Sequence, residues 1–290
     1  MKYAWISDQK AFYSASQLCR VMQVSRCGYQ QWRVRSLSQR ARENQVIVTH
    51  LQQLHDEYHQ TYGRRRMRYA LLAQGIQAGE QRIRRLMQQH HLISHVRRRW
   101  RPRGRAGTPG GLTNQIKNQL ITENNQVWVS DITYLRTQQG WLYLSTVMDI
   151  YTRQIIGWAT AQRMNTALIE QALLLAIKQR RPQKQVIVHS DQGSQYVSQA
   201  YQALLKRLSC IPSVSKRGYC YDNATMESFF HSLKVECLYR HPVLPIEQTR
   251  SLIFRYIETF YNPIRHHSSL NYLSPNEFDR LNQKFYLGGR

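Results

Sequence analysis

Between Val127 and Tyr261 the chain alternates short β-branched and aromatic runs with amphipathic stretches, and this order constrains the fold most. VWVSDITYL (127–135), WLYLSTVMDI (141–150) and QIIGWAT (154–160) read as three strands. Their links are short enough to predict antiparallel hairpins. Residues 167–178, rich in Ala and Leu, read as a helix, and QVIVHSD (185–191) as a buried strand. A helix over 201–208, a short strand IPSVS (211–215) and a helix over 223–239 follow. That last helix carries Met226, Phe229, Phe230, Leu233 and Cys237 on one stripe. Asp222 or Asn223 is the expected cap at its start. A final helix is expected over 246–261.

The order βββαβαβα predicts an α/β fold, a mixed five-stranded sheet with helices on both faces in an RNase H-like arrangement. Three acids stand at the ends of these elements. Asp131 interrupts an apolar strand, where an unpaired carboxylate is costly to bury. Asp191 ends the fourth strand, at the carboxyl edge where α/β sheets form their sites. Glu227 lies near the start of the 223–239 helix. If the first and fourth strands are neighbours, Asp131 and Asp191 fall side by side and the helix brings Glu227 over them. Such carboxylates repel unless cations hold them, and hard oxygen ligands suit Mg²⁺ or Mn²⁺. Two ions about 4 Å apart serve in-line phosphoryl transfer. Lys234, two turns after Glu227, and His231 between them share its helix face and suit a strand phosphate. Asp149 reads as a turn residue, at most supporting the site from behind.

Charge names the partner. Lys and Arg number 41 against 17 acids, a formal net charge of +24, which implies a polyanion such as DNA. Up to Arg105 there are 21 basic residues and five acids, so the first part is the more basic. Residues 1–96 read as an all-α, helix-turn-helix-like DNA-binding region. The main candidate is 62–92: YGRRRMR supplies Arg64, Arg65 and Arg66. After a turn from Gly75 to Gly79, Ile83, Leu86 and Met87 form a buried stripe with Arg82, Arg84 and Arg85 on other faces. A weaker candidate runs from Ser14 to Arg33. Residues 97–122 read as a basic Gly/Pro linker in which Arg97, Arg98, Arg99 and Arg101 track phosphates. The catalytic unit is expected over 123–285. His55 and His59 stand at i, i+4, but Asp56 occupies the place where a zincin needs Glu, so the pair reads as a solvated helix face. The five cysteines have no zinc-finger or disulfide spacing, which fits a reducing cytoplasm. No apolar run reaches about 18 residues, so no membrane partner is expected.

Thirty-five residues separate Asp191 from Glu227. This resembles the D,D(35)E core of retroviral integrases and many bacterial insertion-sequence transposases. The strings WVSDITYL, HSDQGSQY, SKRGYCYDNATMESFFHSLKVE and YNPIRHHSSLNYLSPNEF narrow the resemblance to the second-reading-frame product of the third insertion-sequence family. The resemblance extends over nearly the whole chain. It implies catalytic, metal-holding roles for Asp131, Asp191 and Glu227, with Lys234 at the family's basic position. It implies a Mg²⁺-dependent transposase in the cytoplasm, associated with the nucleoid. Such enzymes cut at element ends with water, then join the freed 3′-hydroxyl to another phosphodiester. It also implies double-stranded DNA partners (the terminal repeats and the target), a homo-oligomer on DNA, and cooperation or fusion with the upstream product. The retroviral His-His-Cys-Cys module is absent from the sequence. Two other readings compete: a catalytically silent DNA-binding accessory protein of the element, and a nuclease that cuts without joining. Against the first, a silent protein has no need of three mutually repelling acids. The string with Asn262, Arg265, His267, Ser268 and Pro275 suits either DNA contact or packing under the core.

Overall fold

A computed structural model describes residues 2–95, 114–116, 119–215 and 224–287. Arg97, Arg98, Arg99, Arg101 and most of the 97–122 stretch lie outside the described residues, as do Asp222 and Asn223.

The sheet is the expected one. Strands β1 (Val127–Thr137), β2 (Gly140–Asp149) and β3 (Ile155–Ala161) form an antiparallel meander. Gly140, at φ 110°, makes the first tight turn in a conformation that a side chain would strain. Strands β4 (Ile187–Ser190) and β5 (Ile211–Val214) add in parallel on the other side of β1, giving the order β3-β2-β1-β4-β5. Helix α7 (Thr166–Arg180), capped by Asn165, and helix α8 (Gln199–Arg207), capped by Ser198, pack on one face. Gly157 lets β3 approach α7: a Cβ there would lie 2.3 Å from the Ala172 carbonyl oxygen.

The other face carries α9 (Ala224–Glu236) with Met226, Phe229, Phe230 and Leu233 buried, and α10 (Ile246–Phe254). The helix expected over 246–261 changes pitch: Arg255–Tyr261 is π-helical. A further helix, α11 (Pro275–Leu287), follows. Its signal was in the sequence: Ser274 and Glu277 form a reciprocal capping box in front of Pro275.

The helical residues before the sheet form two packing units rather than one. Helices α1 (Lys2–Gln9), α2 (Ala15–Val21) and α3 (Arg26–Val34) close around Ile6, Leu18, Cys19 and Tyr29. Helices α4 (Gln39–Glu57), α5 (Arg64–Ala73) and α6 (Glu80–Gln89) instead share one apolar cluster with α9, α10 and the sheet. The contact is specific: Tyr62 accepts from the His266 N–H at 2.6 Å, and Tyr69 stacks on Tyr272 at 3.8 Å. Leu51, Leu54, Met67 and Leu71 are all buried within that shared cluster.

Candidate active site

Asp131 lies midway along β1, opposite Thr146 of β2. On its other side β1 pairs with β4 up to Val129 against His189. Asp131 and Asp191 each stand two residues beyond that last pair. Asp191 is exposed, and its Oδ1 accepts from the Gly193 N–H at 3.0 Å, which fixes the loop after β4. Asp131 is half-buried, with Oδ1 accepting from the Ile132 N–H at 2.7 Å. Beneath them Tyr196 is buried and its hydroxyl meets Ser130 Oγ at 3.1 Å. Burial, and then the charges of Asp131 and Asp191, push the Tyr196 phenol well above its ordinary value, so its hydroxyl stays neutral.

Helix α9 crosses this strand end. Thr146, the partner of Asp131, donates to Met226 Sδ at 3.2 Å. Glu227 follows, half-buried, and burial raises its pKa. Lys234 comes close enough to Asp131 for the carboxylate to support its charge, though burial lowers its pKa on balance. Its ammonium lies 5.4 Å from the centre of the Tyr134 ring. Among the described residues no three His, Cys, Asp or Glu side chains gather tightly enough to hold a metal ion. The charges of Asp131 and Asp191 both act on the Tyr196 phenol, and Glu227 lies on α9, whose Met226 meets the strand partner of Asp131. The donor chemistry fits a hard divalent cation: two carboxylates at matching positions on neighbouring parallel strands.

The other predicted residues divide. Arg84 and Arg85 are exposed on α6. Arg64 and Arg65 are exposed on α5, and each reaches Glu80, at 3.4 and 3.9 Å. Arg82 has turned inward instead, to Asn44 Oδ1 at 2.8 Å and Glu43 at 3.0 Å, and so ties α6 to α4. Arg66 also turns inward, to Glu236 at 3.6 Å. His231 is half-buried on α9. The His55/His59 pair is not a solvated helix face. His55 is buried with Nε2 at 3.2 Å from the Ile93 carbonyl, while His59 lies past the end of α4 at φ 51°. Asp149 is the turn residue expected: buried, it accepts from the N–H groups of Asn125, Tyr151 and Thr152.

In the C-terminal string Asn262 and Arg265 make internal contacts. Asn262 grips the β3 backbone at Ile155, accepting its N–H at 3.0 Å and donating to its carbonyl at 2.9 Å. Arg265 is buried and donates to both oxygens of Glu236, at 2.7 and 2.6 Å. Burial alone would raise the Glu236 pKa, but Arg265, Arg66 and the Tyr256 hydroxyl outweigh it and hold the carboxyl below its usual range. Sequence reasoning missed Glu236 and Tyr196; the one available hint was that both sit in strings that also carry predicted acids.

A meander joined in parallel to a strand with a matching acid, crossed by an acid-bearing helix, defines the integrase-core class. Residues 121–220 and 227–282 match integrase core domains, and residues 41–100 match an HTH-like domain. The chain is 38% identical to transposase InsF for insertion sequence IS3A of Escherichia coli, over 97% of this chain and 99% of that protein. It is 37% identical to an insertion element IS600 31 kDa protein of Shigella sonnei, over 90% and 97%. Among solved structures it is similar to the HTLV-2 integrase catalytic core domain in complex with magnesium: TM-score 0.42, 15% identity, 54% of this chain and 97% of that one. The chain belongs to the IS3 family of insertion-sequence transposases.

Proposed function

We propose that this transposase cuts DNA strands at the ends of an insertion sequence and joins them elsewhere, using divalent cations held by Asp131, Asp191 and Glu227. The observation that supports the reading is the parallel pairing of β1 with β4, which runs up to Val129 against His189, two residues before Asp131 and Asp191 in each chain segment. A bound Mg²⁺ or Mn²⁺, with two ions in the full site, would supply Lewis acidity to the scissile phosphodiester. Asp131 and Asp191 are the fixed ligands, because each is anchored by a backbone N–H in its own turn of chain. Glu227 is the movable third ligand, and its raised pKa suits a carboxyl that ionises fully once a cation arrives. Lys234 and His231 hold the phosphate of the cut strand, and Tyr196 props the two aspartates from behind. Water attacks first; the freed 3′-hydroxyl then attacks a second phosphodiester.

The exposed arginines Arg64, Arg65, Arg84 and Arg85 are assigned to the DNA backbone, with Arg97, Arg98, Arg99 and Arg101 of the basic stretch. The catalytic unit is assigned to residues 123–285. Joining two element ends calls for more than one copy on the DNA, and the upstream reading-frame product is the natural helper in choosing ends. Among the described residues no helix is long and apolar enough to cross a membrane.

The test is strand cleavage and joining on labelled DNA carrying the element ends, with and without Mg²⁺, for wild type and Glu227→Gln. Activity that needs the cation and vanishes in the variant supports the reading. Equal activity in both proteins refutes the role of Glu227, and activity without any divalent cation refutes the metal.

A further inference from the structure

Where α5, the β2–β3 turn and the C-terminal string converge on α9, a cavity of 430 Å³ opens. Arg66, Arg153 and Arg265 line it with Ser228, Ser232 and His267. Among the described residues its lining holds one carboxylate, Glu236. That carboxylate is already engaged by Arg265, by the Tyr256 hydroxyl at 2.8 Å and by Arg66. Arg153 donates to Thr225 Oγ1, a neutral partner. The acid acting on it from behind, Asp149, is taken up by three backbone N–H groups and lies 3.9 Å from Arg180.

Three guanidinium groups, one buried and two half-buried, therefore line a recess with one carboxylate. Such an excess of positive charge favours an anion. Burial lowers the pKa of Arg153, and burial and then Arg265 lower that of Arg66, whereas Glu236 outweighs burial at Arg265 and raises its pKa. Burial and the same three arginines hold His267 well below the ordinary imidazole value. Guanidinium forks with serine hydroxyls beside them match the oxygens of a phosphate. The recess is open to solvent at Ser228, Ser268 and Ser269, and it flanks the helix that carries Glu227 and Lys234. His231 lines it as well, between the two faces of α9.

We propose that this cavity seats a backbone phosphodiester of the DNA substrate next to the strand being cut, so that Arg153 and Ser228 fix its position relative to α9. The inference rests on the reading of the chain as a DNA strand-transfer enzyme. It accounts for a half-buried arginine from the HTH-like unit facing the catalytic helix: DNA held there braces the two units against each other.

The experiment uses the full chain and reads binding rather than cleavage, so that an inactive enzyme does not decide it. Affinity for an end-bearing duplex is measured across a salt series for wild type and Arg153→Gln, with thermal melting as the check on folding. Arg153→Gln is expected to bind about tenfold more weakly and to lower the salt slope by about one unit. Should Arg153→Gln melt early, Ser228→Ala on the exposed rim gives the same readout, with about threefold weaker binding. Wild-type affinity and slope in folded variants would overturn the proposal. A second arm measures melting with inorganic phosphate. Stabilisation of wild type lost in Arg153→Gln, with the DNA slope unchanged, would make this a free-phosphate site and would equally overturn it.

Discussion

Glu236 is the residue on which the join between units turns. It bonds Arg265 from the C-terminal string, Tyr256 from the π-helical turn and Arg66 from α5. Removing its charge strands two buried guanidinium groups, so Glu236→Gln is expected to cost about 3–5 kcal/mol, read by urea denaturation. Acid should act through the same cluster. His267 stays neutral when folded, so the unfolded chain binds the extra proton below about pH 6.5, and stability falls as pH drops through that range. Glu236 is shifted the same way, below its ordinary value, and adds a second loss only once pH falls below about 4.3. The urea midpoint of wild type should therefore drop between about pH 7.5 and 5.5, and less so in His267→Gln. Equal drops in the two proteins would contradict this. None of it was legible in the sequence. Glu236 and Arg265 lie 29 positions apart and Arg66 stands far upstream, and no periodicity links them. Asp131 drew notice because a polar residue within an apolar strand has few reasons to be there, and Asp191 because it follows a strand at its carboxyl end.

At the scale of elements the sheet could be read almost residue by residue, since β-branched runs and short hairpins leave one arrangement. The C-terminal string could not. Its polar residues suit DNA as well as packing, and for Asn262 the contact with the Ile155 backbone decides for packing. Asn262→Ala leaves both buried backbone groups of Ile155 without this partner and is expected to cost about 2–4 kcal/mol, measured by denaturation. Gly157 makes a sharper case. A methyl group there meets the backbone of α7 at Ala172 and Ala176, which flexible side chains cannot relieve. Gly157→Ala should lose about 2 kcal/mol or more, and a wild-type melting curve would show that α7 has room to move.

For the whole molecule, the helices before the sheet read as one unit in the sequence and pack in two clusters. A basic, helical composition is the same on both sides of residues 35–38, and what separates α1–α3 from α4–α6 is which core each unit joins. Limited proteolysis should cut at these exposed residues and separate α1–α3 from α4–α6. An α1–α3 segment that stays covalently joined to α4–α6 through prolonged digestion would contradict the two packing units. The cluster shared by α4–α6, α9, α10 and the sheet joins the HTH-like helices to the integrase core, whose proposed chemistry is the cutting and joining of DNA strands. The most direct test of this chemistry is strand cleavage of end-bearing DNA by Asp131→Asn in Mg²⁺, alongside its melting curve and DNA affinity. The account predicts a folded protein that binds DNA like wild type and does not cut it; cleavage retained in that variant would contradict it.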